Sequence, residues 1–325
     1  MGSQNNRDLS NTGPFSLVLQ EVKSKYILKI ILNNLNQKKF LEIIKYNKSF
    51  QKKFGIGIND YYKEFIRLIK IEVIPKKNES GQFINYIGDK SNYKIYFDDN
   101  KTITDKNYIE RYEDVQKILI IIDFPIKSFS ELFKDCTCIE KINFIKFVRK
   151  DINNMSHMFH GCSSLNYINL SNFETENVED MSYMFYNCPS LIKLDMCKFN
   201  TKNVVNMKSM FSRCSSLNKI DVSNFITEKV KDMSYMFYEC YAINEINISN
   251  FNIRNVEDMS YMFYSCISLV DIDLSKFDLS NKLLRLMFCG CNSLENLDIP
   301  KGGINRLNAL SIFKGCKFEI ISLFK

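Results

Sequence analysis

The stretch that decides the fold is Asn154-Met155-Ser156-His157-Met158-Phe159-His160-Gly161-Cys162-Ser163-Ser164-Leu165-Asn166-Tyr167-Ile168-Asn169-Leu170-Ser171-Asn172-Phe173. Its frame returns at Met181, Met207, Met233 and Met259, each 26 residues after the last. The aromatic recurs as Phe159, Phe185, Phe211, Phe237 and Phe263, and the cysteine as Cys162, Cys188, Cys214, Cys240 and Cys266. A degenerate copy precedes them (Phe133, Cys136, Ile139, Ile142, Phe144). Two more follow at a spacing of 25, marked by Phe288 and Cys291, then Phe313 and Cys316. A fixed period of this length is the signature of a stacked repeat architecture.

Within one copy, Val178, Met181, Phe185 and Cys188 fall three, four and three residues apart. That spacing predicts one apolar face of a short helix, with Asp180, Asp232 and Asp258 early in it, where a carboxylate suits the helix dipole. Leu194 and Met196 then alternate with Lys193 and Asp195, which predicts a short strand with one buried side. A single copy cannot bury both its faces, but stacked copies can. The expected fold class is an α/β solenoid: about eight coils of 25–26 residues with a parallel sheet. At roughly 4.8 Å per strand the sheet would run roughly 40 Å.

The pattern Asn255-Val256, Met259, Met262-Phe263, Cys266, Leu269, Ile272, Leu274-Ser275, Phe277 resembles the 26-residue repeat of BspA-like leucine-rich-repeat surface proteins. The resemblance covers residues 129–325. It implies a leucine-rich-repeat solenoid that binds proteins or surfaces and has no catalytic residues.

Ahead of the repeats, residues 1–14 are polar and read as a disordered tail. Residues 15–75 read as a small helical domain, with apolar stripes at Ile27, Ile30, Ile31 and Leu35, at Phe40, Leu41 and Ile44, and at Tyr61, Phe65, Leu68 and Ile69. Residues 24–52 resemble an F-box, without that family's early Pro and late Trp. The resemblance implies docking onto a ubiquitin-ligase scaffold; any helical cap would show the same apolar spacing. Residues 76–128 open on the turn cluster Pro75-Lys76-Lys77-Asn78 and read as a linker and capping β region, with strands at Tyr93–Phe97 and Ile118–Ile122.

The composition excludes several function classes. Net charge is +7, and the excess lies in residues 1–128, with 22 Lys+Arg against 15 Asp+Glu. A solvated lysine surface explains it; an acidic partner or anionic surface is the alternative. No aromatic platform or Arg-rich groove points to nucleic acid. No run of 18 apolar residues predicts a transmembrane helix. With no signal-peptide pattern in the sequence, a cytoplasmic location is expected, with a surface adhesin as the alternative. Of eleven cysteines, eight hold the repeat position and read as small buried hydrophobes. None has the spacing of a zinc or redox motif, so free thiols are expected. The two histidines, His157 and His160, stand near Cys162 as a metal cluster would. They also stand where other copies carry Tyr, and no metal is expected. There is no nucleotide-cradling glycine motif and no nucleophile paired with a base. Neither an enzyme nor a cofactor is therefore expected.

What remains is recognition of a protein partner. Two surfaces are candidates. The first is the outward strand position Asn169, Asp195, Asp221, Asn247, Asp273 and Asp298, a polar ladder. These side chains either meet a partner or cap the following turn beside Ser171, Ser223, Ser249 and Ser275. The neighbouring positions Tyr167, Lys193, Lys219, Glu245 and Asp271 vary, as a partner-specific surface would. The second is the row Tyr183, Tyr186, Tyr235, Tyr238, Tyr261 and Tyr264, whose exposed aromatics would suit an interface.

Overall fold

The fold is that of a computed structural model, which describes residues 69–122, 126–147, 151–300 and 311–314, with residues 52, 149 and 316. The chain divides into two units between Arg67 and Leu68, and nearly all described residues belong to the second. The tail at 1–14, the helical stripes before Leu68 and all but one residue of the F-box-like segment 24–52 lie outside the described residues.

A capping sheet comes first. Its region holds β1 (Ile69–Pro75), β3 (Tyr93–Phe97) and β5 (Ile118–Ile122), and a separate antiparallel pair of β2 (Gly81–Gln82) with β4 (Tyr108–Ile109). The main sheet has the order β3-β5-β1-β6-β7, where β6 is Ile139–Lys146 and β7 is Tyr167–Asn169. The first three pairings are antiparallel. From β6 to β7 the sheet turns parallel, with Ile142 opposite Ile168. The cap thus hands its sheet to the repeats through β6, the strand of the degenerate first copy. β3 and β5 match the strands expected from sequence. Residues 69–75, expected as the end of a helical segment, form a strand instead. Their Ile-Lys-Ile-Glu-Val alternation buries Ile69, Ile71 and Val73 on one side.

Beyond β7, the repeat strands are β8 (Lys193–Leu194), β9 (Lys219–Ile220), β10 (Asp271–Asp273) and β11 (Asn296–Asp298). β8 pairs with β9 and β10 with β11, both parallel. A bridge between Glu245 and Asp271 continues the series. A second parallel ladder runs through the other side of each coil, from Ser128 to Asn154, Asp180, Asn206, Asp232, Asp258 and Leu283.

In the coils from Phe133 to Phe288 the segment expected as a short helix is not helical, while Ser311 and Ile312 of the last copy are. It is a run of tight turns. In the first full coil, Met155, His157, Phe159 and Gly161 donate their amides to Asp180, Ser182, Met184 and Tyr186 of the next coil. The intervening amides of Met158, His160 and Cys162 bond three residues back within the coil. Two residues four apart make this possible by adopting positive φ: His157 and Gly161, then Tyr183 and Asn187, Ser209 and Arg213, Tyr235 and Glu239, Tyr261 and Ser265, Leu286 and Gly290. A left-handed residue costs roughly 1–2 kcal/mol when it carries a side chain. Here the bonds to the adjacent coil offset that cost. At Gly161 a Cβ would meet the Asp135 carboxylate, so a side chain there would require that carboxylate to move. The three- and four-residue apolar spacing still puts Met155, Met158, Phe159 and Cys162 on one buried side. The spacing reports burial, and a helix is only one way to satisfy it.

Three side-chain columns hold the coils in register. Phe133, Phe159, Phe185, Phe211, Phe237, Phe263, Phe288 and Phe313 form an unbroken ring stack, with centroids 5.3–5.8 Å apart. Beside it, the repeat cysteines from Cys162 onward donate their thiols to the phenylalanine carbonyl one coil back, as Cys188 does to Phe159, Cys214 to Phe185 and Cys240 to Phe211, all at 3.0 Å. Desolvation pushes the Cys214 and Cys266 thiols up to about 12. Third, buried Thr201 donates its hydroxyl to the Ile226 carbonyl and accepts the Ile226 amide. Thr175 and Thr227 do the same with Asn200 and Asn252.

Two outcomes follow from this packing. Phe211→Ala should cost about 3–5 kcal/mol in chemical denaturation and weaken adjacent coils too; a loss below about 1 kcal/mol would contradict the ring stack. In the native protein, an alkylating reagent at pH 8 should label exposed Cys197 and spare Cys188, Cys214, Cys240 and Cys266 until denaturant is added, as peptide mass spectrometry would show. Labelling of all five at one rate would contradict the buried thiol column.

Candidate functional site: the strand face

At β8, β10 and β11 one buried apolar residue stands between two exposed polar ones, so the outer side there is polar; Ile220 in β9 is half-buried. Leu194 lies inward between Lys193 and Asp195, and Ile272 between Asp271 and Asp273. Across coils these outward positions align into an open groove of about 870 Å³. Of the expected ladder, Asp195, Asp221, Asn247, Asp273 and Asp298 all line it. Asn169 lies beyond its end and donates to Asn143 Oδ1 at 3.0 Å.

The ladder's side chains are fixed by the turn that follows. Asp195 Oδ1 accepts the Cys197 amide at 3.1 Å, Asp221 that of Ser223 at 2.9 Å, Asn247 that of Ser249 at 3.0 Å and Asp273 that of Ser275 at 2.8 Å. Asn169 does the same for Ser171. The capping expected from sequence is therefore present. It fixes each of these side chains against the turn that follows its strand. These bonds hold the Asp195 carboxyl below its usual range, chiefly through the Cys197 amide. Asp221 and Asp273 are lowered chiefly by the Ser223 and Ser275 side chains.

The variable positions line the same groove: Lys193 and Lys219 stand opposite each other, Glu245 bridges to Asp271, and Asp271 stands opposite Asn296. Asn296 donates to the Asp271 carboxylate. Asn218 and Asn296 were missed as site residues. Asn296 was findable by carrying the spacing one coil past Asp271. A smaller groove of about 540 Å³ lies on the cap sheet, where Leu119, Ile121 and Ile145 sit among Lys70 and Lys117. Nothing in the repeat period pointed to it.

The tyrosine row is a separate ledge, and none of its residues lines the groove. It has two columns of stacked rings. His157 stacks on Tyr183 and Tyr235 on Tyr261, both at 4.6 Å; His160 stacks on Tyr186 at 4.7 Å and Tyr238 on Tyr264 at 4.9 Å. The histidines thus occupy tyrosine places, and their Nδ1 atoms lie 3.2 Å apart. Burial lowers both imidazoles. The columns break in one coil, where Ser209 and Ser212 replace the rings. Arg213 fills the break, with its guanidinium 5.9 Å from both Tyr186 and Tyr238 and its Nε 3.1 Å from Glu239 Oε2. Stacking covers the ring faces, so the ledge presents hydroxyls and ring edges. Among the described residues, no group of three or more potential metal ligands occurs, and no helix is long and apolar enough to cross a membrane.

The lowered carboxyls give a pH dependence of known sign. Their contribution to stability is present above the free aspartate value near 3.8 and is lost as pH falls through the lowered folded values. A melting-temperature series from pH 5 to pH 2 should therefore fall, and an Asp195→Asn, Asp221→Asn, Asp273→Asn variant should fall less. Identical slopes would refute the capping role.

A search of curated proteins finds no match. A leucine-rich repeat protein of known structure from Bacteroides ovatus ATCC 8483 is similar over 58% of this chain and 66% of that one, at 16% identity and a TM-score of 0.20. A family described as "Mycoplasma protein of unknown function, DUF285" matches residues 127–245 and 192–302, a span that starts at the first coil and ends with β11. These matches cover more than half of the chain, and it belongs to the DUF285 family.

Proposed function

We propose that the repeats form a leucine-rich-repeat-like solenoid of about eight coils that acts without catalysis, binding a protein partner through the strand face. One observation carries this reading. The groove is lined by side chains held in place by turn capping, while the positions beside them change from coil to coil. A fixed scaffold with variable outward residues is how stacked repeats present extended binding surfaces. Preorganised side chains also lose little freedom on binding. The tyrosine ledge contributes less, because its ring faces are already spent on one another and on Arg213.

The test uses the full chain with a photo-crosslinking residue placed at Asn218 in the groove or at Glu257 outside it. A partner should be crosslinked from position 218 and not from position 257. Its affinity, once it is purified, should drop about tenfold in Asn247→Arg and stay unchanged in Tyr238→Ala. Loss of binding in the tyrosine variant alone would move the interface to the ledge and refute the groove.

A further inference from the structure

The strand face carries an ordered charge pattern of both signs. One row reads Lys193, Lys219, Glu245, Asp271. The row two residues further along each strand reads Asp195, Asp221, Asn247, Asp273, Asp298. In the first two coils each lysine stands beside an aspartate, and the charges cancel. In the later coils no cation lines the groove. Glu245 stands opposite Asp271, and Asp273 directly opposite Asp298. Like charges facing each other across adjacent strands are destabilising. The Asn296 bond to Asp271 and the Ser275 bond to Asp273 relieve them in part, and Lys276 stands near Asp273 outside the groove lining.

We infer that an extended, net basic segment of a partner protein docks along this face, with Lys or Arg side chains over Glu245, Asp271, Asp273 and Asp298. The inference rests on the protein-binding reading above and adds the chemistry of the partner. Side chains must do the recognising, because the neighbouring strands already pair with one another through their backbones. The groove spans five coils, four spacings of roughly 4.8 Å, or roughly 19 Å. Roughly six residues of an extended chain cover that length. The first row alone would also suit a second copy of this chain, since its order of two cations and two anions is self-complementary under a two-fold axis. The second row excludes that pairing, because it would set aspartate against aspartate. A net basic segment satisfies both rows.

The test uses the full chain and two labelled ten-residue peptides of alternating charged residue and alanine, one with Lys and one with Glu, read by fluorescence anisotropy at low and high salt. The Lys peptide should bind, and more weakly at high salt; the Glu peptide should not. Glu245→Lys with Asp271→Lys should weaken the Lys peptide about tenfold or more. Glu179→Lys with Glu257→Lys makes the same change in net charge away from the groove and should leave affinity within about twofold. Equal weakening by both pairs, or no binding of the Lys peptide, would overturn the inference. A concentration-dependent dimer abolished by Lys193→Glu would also overturn it in favour of a second copy. A natural partner crosslinked at position 218 that proves acidic would overturn the charge inference alone and leave the binding role standing.

Discussion

The structure depends on one constraint: a coil cannot satisfy its own backbone. Along each turn run, alternate amides find carbonyls only in the next coil, as Met155 finds Asp180 and Phe159 finds Met184. A buried amide without a partner is expensive. No coil is therefore stable alone, and the hydrophobic columns act on units whose register the backbone has already set. The phenylalanine stack, the thiol-to-carbonyl bonds and the threonine pairs all repeat the same one-coil step.

That constraint explains the position of the exposed face. Once inward residues are committed to the columns and the Asp/Asn ladder to capping, one outward strand position per coil, Tyr167, Lys193, Lys219, Glu245 and Asp271, remains free to vary. It varies in charge, and the variation is the surface's information. The ledge of stacked tyrosines shows the opposite economy. Its rings are used up in stacking, and Arg213 takes the one place where two serines leave a gap.

Much of this was legible in the sequence, and the failures are instructive. The 26-residue period gave the coils, the buried Phe and Cys columns and the strand positions. Asp195, Asp221, Asn247, Asp273 and Asp298 do line one groove. The turn runs were misread as helix because the left-handed conformation of Tyr183, Arg213 or Glu239 leaves no mark in residue type. Only Gly161 and Gly290 hint at it. Aspartates 180, 232 and 258, expected to suit a helix dipole, instead cap turns, accepting the amides of Ser182, Ser234 and Ser260. β1 was missed for a different reason. Tyr61, Phe65, Leu68 and Ile69 fit a helical stripe, and the alternation that follows was overruled by it.

The thiol column has a chemical consequence of its own. From Cys162 to Cys291, each repeat Sγ–H sits against a carbonyl of the coil before it, inside the packed interior. Adding even one oxygen to such a sulfur would need room in a fully buried site. Oxidants therefore meet a chain whose many sulfurs are sheltered as long as the coils stay closed. Damage would enter where the stack opens, at its ends, and would then hold the opened coils apart. Closure of the array is itself the antioxidant defence of its interior.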